Sequence, residues 1–340
     1  IGIIAFIGTW FFVPNTPSDK SAKFDLFGFT TLVLGAGLLQ LALARGERED
    51  WFDSIEVILE LSAAILFIYL FLVHTIFAKN PFVARSLFID RNFVMGMLFV
   101  GIIGSIIVLP NFLLPLMLQQ IAGYPPDETG RMMMFRGAGV LLGLIFVGQI
   151  AERFTPKTLI VVGVAFMAVP AWFMAQWTVE VRFNDVAWTG FVQGFGGAFI
   201  WVPISTLALS HLSGKTQDQG YSLFYLFFEL GSSLGVAAIV GRHLRDTQIN
   251  HAALTENIHP FNELFRYDAM ERVFSARDPA SLAAIEAEIG VQATMIAYNN
   301  AFLTTLILML TLIPVLYVFK TGKKKPDKDP DALAQPSAAE

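Results

Sequence analysis

The chain has 340 residues, of which 55% are hydrophobic and 15% charged, and a formal net charge of −5. With a mean hydropathy of +0.59 it is far too apolar for a soluble domain of this size. It contains no cysteine, which excludes disulfides, cysteine-based metal sites and thiol catalysis.

A helix needs about 20 mainly apolar residues to cross a bilayer. Residues 1–13 (IGIIAFIGTWFFV) are apolar but too short to cross alone. No basic region precedes them, so a cleaved signal peptide fits poorly. Because the chain opens on Ile, we expect it to begin partway through a helix and to be the C-terminal part of a longer polytopic protein. Complete spans follow at 25–45 and 54–78, then a basic connector, KNPFVARSLFIDRN (79–92), suited to lying along the membrane surface. Six more spans are expected at 93–118, 129–150, 157–178, 186–210, 219–241 and 296–319, forming one bundle. Between the last two lies a long polar segment, 242–295, with a Pro break near 260 and a short amphipathic helix expected at 280–294. The Pro-, Asp- and Ala-rich end, 323–340, has the composition of a disordered tail.

Basic residues set the orientation. Alternating spans put thirteen Lys and Arg in the loops of one side and eight in those of the other, five of the eight within 242–295. Long translocated loops obey the positive-inside rule poorly, and short loops alone give thirteen to three. The GKKKPDK tail is thus expected in the cytoplasm and 242–295 outside.

Charges inside the spans are the strongest functional lead, because a charge in hydrocarbon costs at least a few kcal/mol. Arg136 lies about 10 Å into its helix from the outer side, with Gly139 and Gly143 on its face. It either joins an interior site or ion pair, or snorkels to the outer headgroups. Glu229 sits near mid-span beside Ser222, Tyr225, Ser232 and Ser233. A carboxylate there suits proton coupling or recognition of a cationic ligand; the bland alternative is a structural pair with Arg136. Asn111 and Gln193 add uncharged polar groups to two further spans, and Pro110, Pro115 and Pro203 are expected to bend theirs. Gly190, Gly194 and Ala198 recur every four residues, as do Gly231 and Gly235, a spacing that lets helix backbones approach. The Met132–Met134 run and the aromatics Trp201, Phe224, Tyr225 and Phe228 either line a forgiving pocket or simply pack. Glu56 and Glu60 read as interfacial, and the five histidines pair into no ligand or catalytic set. There is no phosphate-binding GxxxxGK loop and no HExxH, so no cofactor, metal or nucleic acid is called for.

The turn Gly148-Gln-Ile-Ala-Glu152-Arg153-Phe-Thr-Pro-Lys157 resembles the G-x-x-x-D-R-x-x-x-R/K loop of major facilitator superfamily transporters, with Glu152 where Asp is usual. The strings LLQLALARGEREDWFDS (38–54), NPFVARSLFIDRNF (80–93), LPNFLLPLMLQQIAGY (109–124), FVQGFGGAFIWVPISTLALSHL (191–212), GSSLGVAAIVGR (231–242) and TQINHAALTENIHPFN (247–262), in this order, resemble the fourteen-span drug:proton antiporter branch, the EmrB/QacA type.

That resemblance implies an all-α polytopic membrane protein of the major facilitator fold. Residues 1–13 would close span six, 14–92 would hold two inserted helices and a linker, 93–322 the C-terminal six-helix bundle, and 323–340 the tail. Spans holding Asn111, Arg136, Gln193 and Glu229 would border a central cavity, which Tyr225 and Ser232 would help line. Gly148, Glu152, Arg153 and Lys157 would form the conformational loop. Phe135 stands where relatives often carry Pro, so the backbone there need not match theirs. The implied function is inner-membrane efflux of amphipathic compounds by proton antiport, together with the missing N-terminal half. Glu229 would meet protons or cations and Arg136 would pair with it in one state. A periplasmic adaptor could meet 242–295. Alternatives are transport of a specific metabolite, lipid or siderophore, a non-transporting sensor or scaffold, and, weakest, a membrane-embedded enzyme, for which no converging His, Asp or Ser groups are found.

Overall fold

Helices form wherever the apolar runs are long and are capped where Asp, Thr or Pro punctuates them. The computed structural model describes residues 2–12, 24–209, 212, 215–256, 258–259 and 279–316. Among these, the regular structure is helical throughout, and eight helices are long and apolar enough to cross a membrane. The tail 323–340, the Pro break at 260 and His211 lie outside the described residues.

The chain divides into two compact units, residues 1–87 and 88–340. The first contains α1 (Gly2–Phe12) and a hairpin of α2 (Leu26–Arg45) and α3 (Ile55–Phe77). Asp25 caps α2 by accepting from the Gly28 amide at 3.0 Å, one of the donors a helix start leaves unbonded. The same carboxylate accepts from the Phe82 amide at 2.8 Å and lies 2.9 Å from His74 Nε2. One side chain thus ties the start of α2, the end of α3 and the connector together. Burial works to raise the Asp25 pKa, but the Gly28 and Phe82 amides and His74 outweigh it and hold the carboxyl below its ordinary value. At the opposite end of the hairpin Arg45 binds Glu60 at 3.0 Å and Glu56 at 2.6 Å. Both glutamates therefore have a specific partner in addition to their place near a helix end.

A short helix, α4 (Arg85–Ile89), stands at the boundary of the units. The second unit holds α5 (Arg91–Gln120), α6 (Pro126–Ile150), α7 (Pro156–Met174), α8 (Phe183–Leu209), α9 (Lys215–Thr255) and α10 (Pro279–Leu316). Asp90 caps α5 through the Phe93 amide at 2.8 Å, Thr155 caps α7, and Pro opens both α6 and α7, where its missing N–H is harmless. The principal packing pairs are α6 with α8, α5 with α9, α7 with α8, and α10 with both α9 and α7, while α5 also touches α8. A cluster including Leu109, Leu113, Met117, Met132, Met174 and Phe302 fills the space between α5, α6, α7 and α10. Pro110, Pro115 and Pro203 all lie inside continuous helices, as do Pro170 and Pro314.

The segment 242–295 departs from the expected loop. Helix α9 runs without interruption for 41 residues through to Thr255, and α10 is already helical at Pro279 and continues for 38 residues. At 1.5 Å per residue each is about 60 Å long, roughly twice the hydrocarbon thickness. The reason is local: from Arg242 to Thr255 there is neither Gly nor Pro, so nothing stops the helix once it leaves the apolar region. Its polar face meets α10, where His251 lies 2.9 Å from Glu286, Asn300 reaches Asp246 at 3.4 Å and the His243 ring lies tilted against Tyr298 at 4.3 Å. The amphipathic stretch 280–294 is accordingly the first part of α10 rather than a separate helix.

Candidate functional site

The site is built on close backbone approach. A Cβ on Gly194 of α8 would overlap the Arg136 carbonyl of α6, and one on Gly143 would stand 2.8 Å from the Ala198 Cβ. Glycine at these positions lets the two helices meet main chain to main chain. Gly190 is looser, 3.5 Å from the Arg136 Cβ by the same construction.

This approach carries the Arg136 side chain across to α8 and α5. Its Nη1 donates to Gln193 Oε1 at 3.0 Å and its Nη2 to the Ile107 carbonyl at 3.3 Å. Arg136 is only 7% exposed and Gln193 only 1%. Asn111 Nδ2, one turn along α5, donates to the same Ile107 oxygen at 3.2 Å and is itself exposed. Two residues singled out in the sequence, Arg136 and Asn111, therefore share one carbonyl that the sequence did not mark, and a third, Gln193, holds the other end of the guanidinium. Among the described residues no carboxylate lies within ion-pair distance of Arg136, and the buried Gln193 Nε2 has no hydrogen-bond partner. Snorkelling is the reading that suits Arg131, which is exposed and pairs with Asp127 at 3.3 Å.

Glu229 is elsewhere. It lies half-buried on α9, with the Tyr225 hydroxyl within hydrogen-bonding reach one turn earlier. The expected pair with Arg136 is not formed in this structure, because the guanidinium is already committed to α8 and α5. Tyr225 is 56% exposed and its ring lies 6.0 Å from Phe228, which meets Trp201 edge to face at 4.9 Å. These aromatics pack α9 against α8, and Met132 is fully buried while Met134 is exposed. Ser232 differs from the cavity-lining expectation: it is 4% exposed, its hydroxyl donates to the Phe228 carbonyl at 2.8 Å, and it lies against Gly104 of α5. Its neighbours Gly231 and Gly235 bring α9 onto Gly101 and Ser105, and Ser105 Oγ donates to the Gly231 carbonyl at 2.6 Å.

The turn after α6 carries Gly148, Glu152, Arg153 and Lys157. Glu152 and Arg153 are exposed, the Arg153 amide bonds back to the Ile150 carbonyl at 2.9 Å, and Lys157 stands half-buried in the first turn of α7. What the sequence reading missed, Ile107 and Ser105, are a backbone carbonyl and a common serine; only the Asn111 four residues after Ile107, in a span that contains two prolines, pointed near the first.

The sequence profile of the Major Facilitator Superfamily matches residues 1–236. The chain belongs to that superfamily. It is a multi-pass membrane protein of a transporter family, and not an enzyme. Among its major facilitator relatives, the multidrug export protein EmrB of Haemophilus influenzae is 27% identical over 94% of this chain and 63% of its own length. The fatty acid resistance protein FarB of Neisseria gonorrhoeae is 28% identical over 94% of the chain and 64% of its own. EmrB of Escherichia coli K12 is 29% identical over 88% of the chain and 59% of its own. The chain thus spans about three fifths of the length of the curated relatives it matches. A solved structure of a bacterial homolog of the human lysosomal transporter Spinster superimposes with a TM-score of 0.46 at 15% identity, over 88% of this chain and 69% of that one, too loosely to inform the site.

Proposed function

We propose that this chain is the C-terminal part of an efflux transporter that moves amphipathic compounds out of the cell across the inner membrane in exchange for protons. Alternating access between two helix bundles would carry the cargo. In this reading α5, α6, α8 and α9 border the central cavity, the C-terminus lies in the cytoplasm, and the outer parts of α9 and α10 offer a surface for a periplasmic adaptor. The turn Gly148–Lys157 would serve as the conformational loop.

The observation that carries the reading is the inward turn of Arg136: a guanidinium inside a membrane-spanning bundle, held by Gln193 and a backbone carbonyl instead of reaching for headgroups. Such groups mark pathways more often than anchors. The relatives named as multidrug export proteins support drug efflux over uptake. Glu229 is the group we assign to proton or cation exchange, since it is an acid within a span with the Tyr225 hydroxyl one turn away.

Proteoliposomes holding the complete transporter and loaded to take up an amphipathic fluorescent dye against a pH gradient test this. Glu229→Gln should abolish gradient-driven uptake while leaving expression and elution profile intact. Unchanged uptake removes Glu229 from the mechanism, and uptake insensitive to an uncoupler in the wild type removes proton coupling.

A further inference from the structure

Arg136 has five N–H donors and a charge that no protein environment removes. Two neutral oxygens meet it, Gln193 Oε1 and the Ile107 carbonyl, and neither carries a formal charge. Beside it the Gln193 Nε2 donor is buried at 1% exposure with nothing to bond. Asn111 Nδ2 completes the set from the exposed side of α5, sharing the Ile107 oxygen with Arg136. Donors therefore outnumber acceptors around a buried cation, and the shortfall is one anionic acceptor. A buried orphan donor calls for an explanation, and a fork-shaped guanidinium matches a carboxylate in two bonds.

The surroundings fix the rest of the ligand. The exposed stripe of α5 that carries Asn111 continues through Phe112 and Leu116, 43% and 36% exposed, and Phe135 stands exposed beside Arg136 on α6. We infer that Arg136, Gln193 and Asn111 form a binding site for the head group of an amphipathic carboxylate. The carboxylate replaces the Ile107 carbonyl as acceptor for Arg136 Nη2 and Asn111 Nδ2 and takes the free Gln193 Nε2 donor. Gln193 Oε1 keeps Nη1 aimed, and the apolar stripe receives the tail. A cation is refused at this position by the unneutralised charge. The inference rests on the proposed reading that this face borders the cargo path, and it makes Arg136 a selector of cargo charge independent of Glu229.

The test compares cis-parinarate, a fluorescent fatty carboxylate, with its neutral methyl ester. Binding to the complete transporter in lipid nanodiscs is measured at alkaline pH, with empty discs subtracted. The wild type should bind the acid about tenfold or more tighter than the ester, the scale of a hydrogen-bonded charge. Arg136→Gln should erase that preference by weakening the acid far more than the ester, and Arg136→Lys should keep part of it. Asn111→Leu, on the exposed face, should weaken the acid several-fold and supplies the answer if the Arg136 variants do not fold. Equal affinity of the wild type for acid and ester, or a preference that survives Arg136→Gln, overturns the site; so does an Asn111→Leu protein with unaltered acid affinity. Binding and transport part the two readings: a wild type that prefers the acid yet moves no dye under a pH gradient sinks the efflux reading and leaves this one standing.

Discussion

Replacing Gly231 with Ala places a methyl group into the backbone of Gly101, at a close contact between α5 and α9. For ordinary van der Waals separation the two helices must part by roughly 1.5 Å. That movement also stretches the 2.6 Å bond from Ser105 Oγ to the Gly231 carbonyl. Overpacking of this kind costs about 1–3 kcal/mol, and an interhelical hydrogen bond in a membrane about 0.6 kcal/mol. The gain in helix propensity returns about 1 kcal/mol, so the net loss should be about 1–3 kcal/mol. Gly37 on α2 provides the control, since a Cβ there meets nothing within 4 Å. Gly37→Ala should be neutral or stabilise by up to about 1 kcal/mol. Thermal unfolding of the two variants in the same detergent, followed by tryptophan fluorescence, gives both numbers. A Gly231→Ala protein at least as stable as the wild type, or a Gly37→Ala protein that loses as much, would refute the close-approach account.

Asp25 offers a pH test. Because its folded pKa is depressed, the stability it contributes is present above the ordinary value of 3.8 and is lost as pH falls below it through the folded value. Asp25→Ala should cost about 1 kcal/mol through the lost cap and flatten the acid limb of the unfolding profile, with faster amide exchange at Gly28 and Phe82; an unaltered acid limb contradicts the assignment. The pairing of α9 with α10 beyond Arg242 can be trapped in a chain that lacks cysteine. His251→Cys with Glu286→Cys should be bridged by a short bifunctional thiol cross-linker, read by mass spectrometry after proteolysis, because the native side chains reach each other at 2.9 Å. Failure of the linker to join them would mean the helices do not extend side by side.

Much of this protein is legible along the chain alone. Eight apolar runs of sufficient length dictate the eight membrane-length helices among the described residues, since a backbone in hydrocarbon has to satisfy its own hydrogen bonds. The small residues at Gly194, Gly231 and Gly235 announce close contacts, and the polar residues Asn111, Arg136 and Gln193 stand out against their apolar runs. Helix boundaries were less legible where no breaker exists: after Arg242 the apolar run ends but the helix does not, and hydropathy alone reads that as a loop. Partner choice was not legible at all. Periodicity says that Arg136 is anomalous, but only the packing of α6 on α8 and α5 sends its guanidinium to Gln193 and Ile107 and away from Glu229. The packing of α9 on α5 turns Ser232 toward Gly104 and leaves Tyr225 exposed, though both belong to one polar face in sequence. Local sequence fixes which residues are unhappy in lipid, because that depends on each side chain and its immediate neighbours. Which groups relieve them depends on contacts between helices 29 and 57 residues apart in the chain, and these exist only once the bundle has formed.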